Sequence, residues 1–333
     1  MQGRMRVTAM CLALLLLCTA LAGCGQQASQ ESAAQSSVEI TETETGGDQI
    51  IEEEMVALAE APAVDVDLTP VASGKLVQKN TKASIDYSNT TDGYVMVKYS
   101  AASTKKIKAQ VTGPTTIYTY NLDAGAADWT VFPLSDGNGA YKVTVFENVT
   151  GTKYSTVLSV SFQVTLKNEF APFLRSNQYV NYTNAINTKA KAKELCSGKK
   201  DELEKVKAVY DYVVTNFTYD KTKAANVKSG YLPVLDTVLS TKKAICFDYA
   251  AVMTAMLRCE GIPCKLVVGY AGTAYHAWIS VYSQENGWMD GAIYFDGADW
   301  KRMDPTFASS GKQSKEIMKY IGDGSHYTVK YLY

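Results

Sequence analysis

The sequence predicts an α+β chain: a small all-β sandwich, followed by a domain in which a buried, cysteine-bearing helix packs on an antiparallel sheet. Three observations predict it. Between residues 75 and 168, short β-rich runs recur at regular spacing between turn signals. From about residue 169 onward, apolar residues recur at three- and four-residue steps. Past Pro263 the chain returns to strand-like runs. Helices, a central helix and then strands, in that order, argue for α+β rather than regular alternation.

The 333 residues suffice for two ordinary domains plus flanking segments. At the start, Arg4 and Arg6 precede an apolar run from Met10 to Ala22, MCLALLLLCTALA. That run is short for a membrane span and has the layout of a secretory signal. It ends in Leu21-Ala22-Gly23-Cys24, which resembles a bacterial lipobox. The resemblance implies cleavage after residue 23 and a lipid on Cys24. The protein is then expected at the extracytoplasmic face of the bacterial cell membrane, held at the surface rather than across it.

Residues 25–74 carry 11 acidic side chains and no lysine or arginine. With few aromatics, residues 24–74 read as an acidic disordered tether. The body behind it holds 33 − 2 = 31 basic and 34 − 11 = 23 acidic residues, a balance of about +8. Such a body suits an anionic wall or membrane surface as well as plain solubility. It is no argument for nucleic acid, because the signal places the chain outside the cytoplasm.

The runs GYVMVKYS, KIKAQVT, TTIYTYN, AYKVTVFEN and STVLSVSFQVTL are separated by Asp92-Gly93, Gly113-Pro114 and Asp136-Gly137-Asn138-Gly139. They predict an immunoglobulin-like β-sandwich over 75–168, with alternation at Val95, Val97 and Tyr99. This segment has neither His nor Cys. In the domain at 169–333, DELEKVKAVYDYVVTNF places Leu203, Val206, Tyr210, Val213 and Phe217 on one helical face. FDYAAVMTAMLRCEG is apolar nearly all round and predicts a buried helix, stopped by Gly261 and Pro263. CKLVVGY and AYHAWISVY then read as strands, with His276, Trp278, Ser280 and Tyr282 on one face and a hairpin at Asn286-Gly287.

Cys246 falls at the start of the buried helix, where unpaired backbone N–H groups and the helix dipole favour an anion. Its backbone N–H is a candidate oxyanion donor. Asp248 also suits a helix start, although its charge opposes a thiolate. A nucleophilic cysteine wants an imidazole. Of the two histidines, His276 lies on the strand that follows, and His326 lies in a polar tail. A third group should orient the imidazole. Asp304, pinned by Pro305 in WKRMDPTF, is the candidate. Each residue alone has an ordinary structural reading: a buried thiol, a strand histidine, a turn aspartate.

Taken together, YVVTNFTYD, KKAICFDYAAVMTAMLRCEGIPCKLVVGY, YHAWISVY and WKRMDPTF resemble the transglutaminase-like superfamily, which shares the papain-like cysteine protease core. The resemblance covers most of residues 200–307. It implies a Cys246–His276–Asp304 triad, with Trp278 packed beside the histidine. Tyr231 is a candidate side-chain oxyanion donor. The family often has glycine two residues before the nucleophile, where this chain has Ala244, a strain if that position needs a positive φ. Eukaryotic transglutaminases use calcium, but no loop here has the acidic spacing of a calcium site, and no cofactor or metal is expected.

The expected function is a lipid-anchored thiol enzyme that attacks amide bonds of a protein or wall peptide through an acyl-enzyme thioester. Water would resolve the thioester as a hydrolase or protease, and an amine as an acyltransferase. The alternative is a catalytically silent module with the same fold, whose sandwich and 22 tyrosines grip protein or glycan at the wall. A third reading is a structural spacer in which a disulfide joins Cys259 and Cys264, which lie close around a turn; the sequence leaves that bridge open.

Overall fold

The computed structural model describes residues 68–289, 294–295, 300–301, 304–310 and 324–333. The apolar N-terminal run, Cys24 and the acidic segment as far as residue 67 lie outside the described residues. Among the described residues no helix is long and apolar enough to cross a membrane.

Eight strands come first: Val77–Lys79 (β1), Ala83–Asp86 (β2), Tyr94–Tyr99 (β3), Ile107–Thr112 (β4), Ile117–Leu122 (β5), Thr130–Pro133 (β6), Gly139–Thr150 (β7) and Lys153–Val164 (β8). They form two antiparallel sheets, ordered β1-β2-β3-β6 and β5-β4-β7-β8. Period-two alternation decides which side chains are buried. In β4, Ile107, Ala109 and Val111 are buried while Lys108, Gln110 and Thr112 are half-buried on the other face. In β5, Tyr118, Tyr120 and Leu122 are buried and Asn121 is exposed. The buried set joins Ile85, Val97 and Phe132 of the other sheet in one core. Each such side chain, fully removed from water, contributes roughly 1.5–3 kcal/mol.

Residues 68–74 correct the expected end of the tether. They lie against the first sheet because side chains there satisfy their backbone groups. Asn89 donates to the Val71 carbonyl at 2.7 Å, Val71 N–H donates to the Tyr94 hydroxyl at 3.2 Å, and Gly74 N–H donates to Asp86 at 2.7 Å.

The rest of the chain supplies helices Ile186–Cys196 (α1) and Glu202–Asn216 (α2), strand Thr218–Tyr219 (β9), helices Lys221–Asn226 (α3) and Leu235–Thr241 (α4), and strand Lys243–Ala244 (β10). After these come helix Cys246–Cys259 (α5), strands Cys264–Ala271 (β11), Ala274–Ser283 (β12), Gly287–Met289 (β13), Tyr294–Phe295 (β14) and Trp300–Lys301 (β15), helix Pro305–Ser310 (α6) and strand Tyr327–Leu332 (β16). Asp201 caps α2 by accepting from the N–H groups of Leu203 and Glu204. The apolar face read from the sequence is buried, from Leu203 and Val206 through Tyr210 and Val213. Helix α5 is buried from Asp248 to Arg258. It packs on α1, α2 and the sheet β13-β12-β11-β16, all of whose pairings are antiparallel. The chain is therefore α+β, with an all-β region ahead of a helix-on-sheet core.

Arg258, in the last turn of α5, is 2 % exposed and donates to three backbone carbonyls, those of Cys264, Arg175 and Tyr333, at 2.7–2.9 Å. Burial disfavours its charge and lowers its pKa. Arg258→Met removes the donor from the Cys264 and Arg175 carbonyls, while the Tyr333 oxygen keeps the Leu266 N–H at 2.9 Å. The expected loss is about 2 kcal/mol or more of unfolding free energy, read from the urea midpoint. A midpoint equal to wild type would refute that account.

Among the described residues nine tyrosines are buried, including Tyr120, Tyr210 and Tyr249. Tyr118, Tyr120, Tyr179 and Tyr333 pack ring on ring, at centroid distances of 4.2–5.9 Å, where β5 meets the C-terminal strand. These four rings pack the sandwich against the helical domain. Cys259 and Cys264 are free thiols, so the bridge left open by the sequence is not formed. Cys264 lies instead against the Thr254 hydroxyl, with its sulfur 3.5 Å from that oxygen.

Candidate active site

Three short devices place Cys246. Strand β10 pairs in parallel with β9, and the Ala244 carbonyl accepts from Asp220 N–H at 2.9 Å. Lys242, with φ 55°, is the one non-glycine residue at positive φ among the described residues. Ala244 therefore sits in ordinary extended backbone without the strain that glycine would relieve, and its methyl group is fully buried. Helix α5 then begins at Cys246, with the side chain of Asp248 accepting from Ile245 N–H at 2.8 Å.

Asp248 is fully buried two residues from Cys246, yet it does not face the site as a bare charge. Lys223 Nζ lies 2.6 Å from Oδ2, and the Tyr231 hydroxyl donates to Oδ1 at 2.6 Å. Burial and the Asp248 carboxylate together push the Tyr231 hydroxyl pKa well above its ordinary value. Tyr231 was expected as an oxyanion donor. Its proton is committed to Asp248 instead, and Lys223 supplies the compensating cation.

His276 lies on β12, 6 % exposed, with Gly269 as its register partner on β11. Its Nε2 is 2.5 Å from Asp304 Oδ2, and Asp304 is fully buried. Cys246 lines the same cavity as the imidazole and also favours its charged form. Burial works against the imidazolium, but the charge and hydrogen bond of Asp304, with the nearby Cys246, outweigh it and raise His276 to about 10.

Asp304 is fixed by its own backbone setting. It precedes α6, whose first residue is Pro305. Thr306 N–H donates to Asp304 Oδ1 at 3.0 Å, and Ala308 N–H to its carbonyl at 2.9 Å. Ser309 Oγ, bonded to the Phe217 carbonyl and to Tyr249 of α5, ties α6 to the helix that carries Cys246.

Trp278, two residues along β12 from His276 and on the same face, stacks on it with centroids 6.1 Å apart and planes 22° apart. Tyr327 of β16 meets Trp278 edge-on at 5.1 Å and donates its hydroxyl to Asp304 Oδ2 at 3.0 Å. Sequence reading missed Tyr327, although it weighed its neighbour His326, whose carbonyl accepts from Gly272 N–H. Gly269 makes the arrangement fit. A Cβ there would lie 2.0 Å from the Thr328 carbonyl oxygen and 2.9 Å from Trp278, driving β16 and Tyr327 away.

Cys246 and His276 open into a cavity of about 500 Å³ walled by Tyr179, Tyr219, Tyr231, Phe247 and Tyr275. The other described thiols do not suit chemistry at neutral pH. Burial pushes Cys196 and Cys264 up to about 11 and Cys259 to about 12. Among the described residues no cluster of three or more His, Cys, Asp or Glu side chains is placed to hold a metal ion.

Residues 189–291 match the sequence model of the transglutaminase-like superfamily. The match takes in Cys246 and His276 and stops before Asp304. A Bacillus subtilis protein, YebA, described as uncharacterized, is 25% identical over 182 residues, which are 48% of this chain and 24% of its own. This chain thus spans about a quarter of that relative. Among solved structures, a candidate cysteine protease from Cytophaga hutchinsonii is 17% identical, covering 71% of this chain and 73% of its own, with a TM-score of 0.36. Red sea bream transglutaminase is 15% identical, covering 64% and 48%, with a TM-score of 0.27. Scores this low carry no argument about activity, which rests on the site itself.

Proposed function

We propose that this transglutaminase-like domain is a thiol enzyme that attacks amide bonds through a Cys246–His276–Asp304 triad. The observation that carries the reading is His276, bonded to Asp304 and lining one cavity with Cys246. With His276 raised to about 10, the imidazole carries its proton at neutral pH. The Cys246 thiolate attacks the amide carbonyl carbon, and a C–S bond forms. The developing oxyanion is received by backbone N–H groups of the first turn of α5, that of Cys246 first. His276 passes its proton to the departing amine, the C–N bond breaks, and a thioester remains on Cys246. Water or a second amine then attacks the thioester, gives its proton to His276, and frees the thiolate. Water gives hydrolysis, and an amine gives acyl transfer.

The substrate in this reading is a protein or wall peptide. The lipid on Cys24 would hold the enzyme at the outer membrane face, with residues 24–67 as tether. The test is acyl trapping on the full chain. After brief exposure to p-nitrophenyl acetate and an acid quench, peptide mapping finds the acetyl group on Cys246 and on none of Cys196, Cys259 or Cys264. Added methylamine then diverts product from acetate to N-methylacetamide in an acyltransferase and leaves acetate as the product in a hydrolase. A protein that never carries acetyl on Cys246 would end the proposal.

A further inference from the structure

We propose that the outer face of the sandwich sheet forms a cationic subsite that continues the Cys246 cleft and takes an acidic stretch of the substrate peptide. The inference rests on the thiol-enzyme reading for the amide, and adds the chemistry of the segment beside it.

A second cavity, of about 610 Å³, adjoins the first. Its lining includes Ser103, Lys105, Lys106, Lys108 and Asp123, and it shares Asn121 and Ser229 with the cavity that holds Cys246 and His276. The strand pattern creates it. Burial of Ile107 and Ala109 turns Lys108 outward, and burial of Tyr120 and Leu122 turns Asn121 outward, directly opposite Lys108 in the ladder.

Positive charge is left over here. Lys108 Nζ bonds only a neutral partner on this face, Asn121 Oδ1 at 2.5 Å. Burial and the neighbouring Lys106 charge lower its pKa, so a bound anion would relieve both lysines. Among the described residues no carboxylate forms an ion pair with Lys106 or Lys108. Lys105 lies 3.8 Å from Glu147, which Lys82 already holds at 2.7 Å.

Asn121 is the post between the two cavities. Gln178 Nε2 donates to its carbonyl at 2.7 Å. Gly230, at φ +90°, packs so closely that a Cβ there would lie 2.3 Å from Asn121 Nδ2. A ligand passing from aromatic cleft to cationic face therefore crosses a fixed ridge. The cube root of the 500 Å³ first cavity is about 8 Å, the reach of two to three extended residues. The acidic side chains should thus lie about three residues from the attacked amide.

The test titrates fluorescein-labelled Gly-Gly-Gly-Glu-Glu-Glu and its Gly-Gly-Gly-Gln-Gln-Gln counterpart against the full chain by anisotropy. At low salt the Glu peptide binds roughly fivefold or more tightly, the scale that a few exposed ion pairs reach together. The preference vanishes in about 0.5 M NaCl and in the double variant Lys106→Gln/Lys108→Gln. Lys207→Gln, on α2, keeps it. The Glu peptide, but not the Gln peptide at equal concentration, also slows iodoacetamide labelling of Cys246. Equal affinities, or a preference that survives the double variant, overturn the subsite. Slow iodoacetamide labelling of Cys246 without peptide, with the Glu preference intact, would instead remove the enzyme reading and leave the anion site standing.

Discussion

Cys246→Ala abolishes turnover of ester and amide substrates, by roughly 10³-fold or more in kcat, and leaves the fold in place. The first half follows from the proposed chemistry, in which no other described thiol can substitute. Cys196, Cys259 and Cys264 are held at about 11 to 12 by burial. The second half follows from position. Cys246 is only partly buried in the first turn of α5, alanine is the best helix former, and the buried stretch begins two residues later at Asp248. The measurement is kcat with p-nitrophenyl acetate beside the urea midpoint. Full turnover with an unchanged midpoint would exclude Cys246 as the nucleophile.

Asp304→Asn lowers kcat/KM by roughly 10²- to 10⁴-fold and moves the alkaline limb of the rate to lower pH. Burial already opposes the His276 cation, and the Asp304 carboxylate is the main force against it. Asparagine keeps the shape and removes the charge, so burial then prevails and His276 loses its proton earlier. In wild type the rate falls as pH rises through about 10, where the imidazolium is lost. The same shift is a stability statement. His276 has a folded pKa above its unfolded value of 6.5, so its contribution is fully present below that value. It is lost as pH rises through about 10. Asp304→Asn removes most of this dependence. An alkaline limb at the same pH in variant and wild type would show that Asp304 does not set the charge of His276.

The parts of this protein legible in its sequence are those written in local pattern. The apolar face of α2, the all-apolar α5 and the strand alternation around Val97 are read from spacing and residue type, while the grouping of Cys246, His276 and Asp304 came from the family resemblance. The partners that long-range folding brings in were not legible. Tyr327 reaches Asp304 from 23 residues away and Lys223 reaches Asp248 from 25, and neither lies in a periodic pattern that marks it. Tyr231 was singled out, but a hydroxyl's bond depends on which carboxylate the fold delivers, and here it is Asp248. The tyrosine count could not say which rings are buried, because composition does not say which face of a strand turns inward. Closeness in sequence likewise left a bridge open for Cys259 and Cys264, while the turn between α5 and β11 leaves both as free thiols. The cationic face needed both strand faces and the neighbouring loop at Gly230 before it could be seen.

The central claim is that Cys246 and His276 act as one thiolate–imidazolium unit. The most direct measurement is the pH dependence of iodoacetamide alkylation at each cysteine of the full chain, mapped by mass spectrometry, for wild type and His276→Ala. The account predicts that Cys246 labels fast well into the acidic range. It also predicts that His276→Ala slows this labelling sharply, and that Cys196, Cys259 and Cys264 stay unlabelled at neutral pH. A Cys246 that labels only as the solution turns alkaline, at the same rate with and without His276, would contradict it.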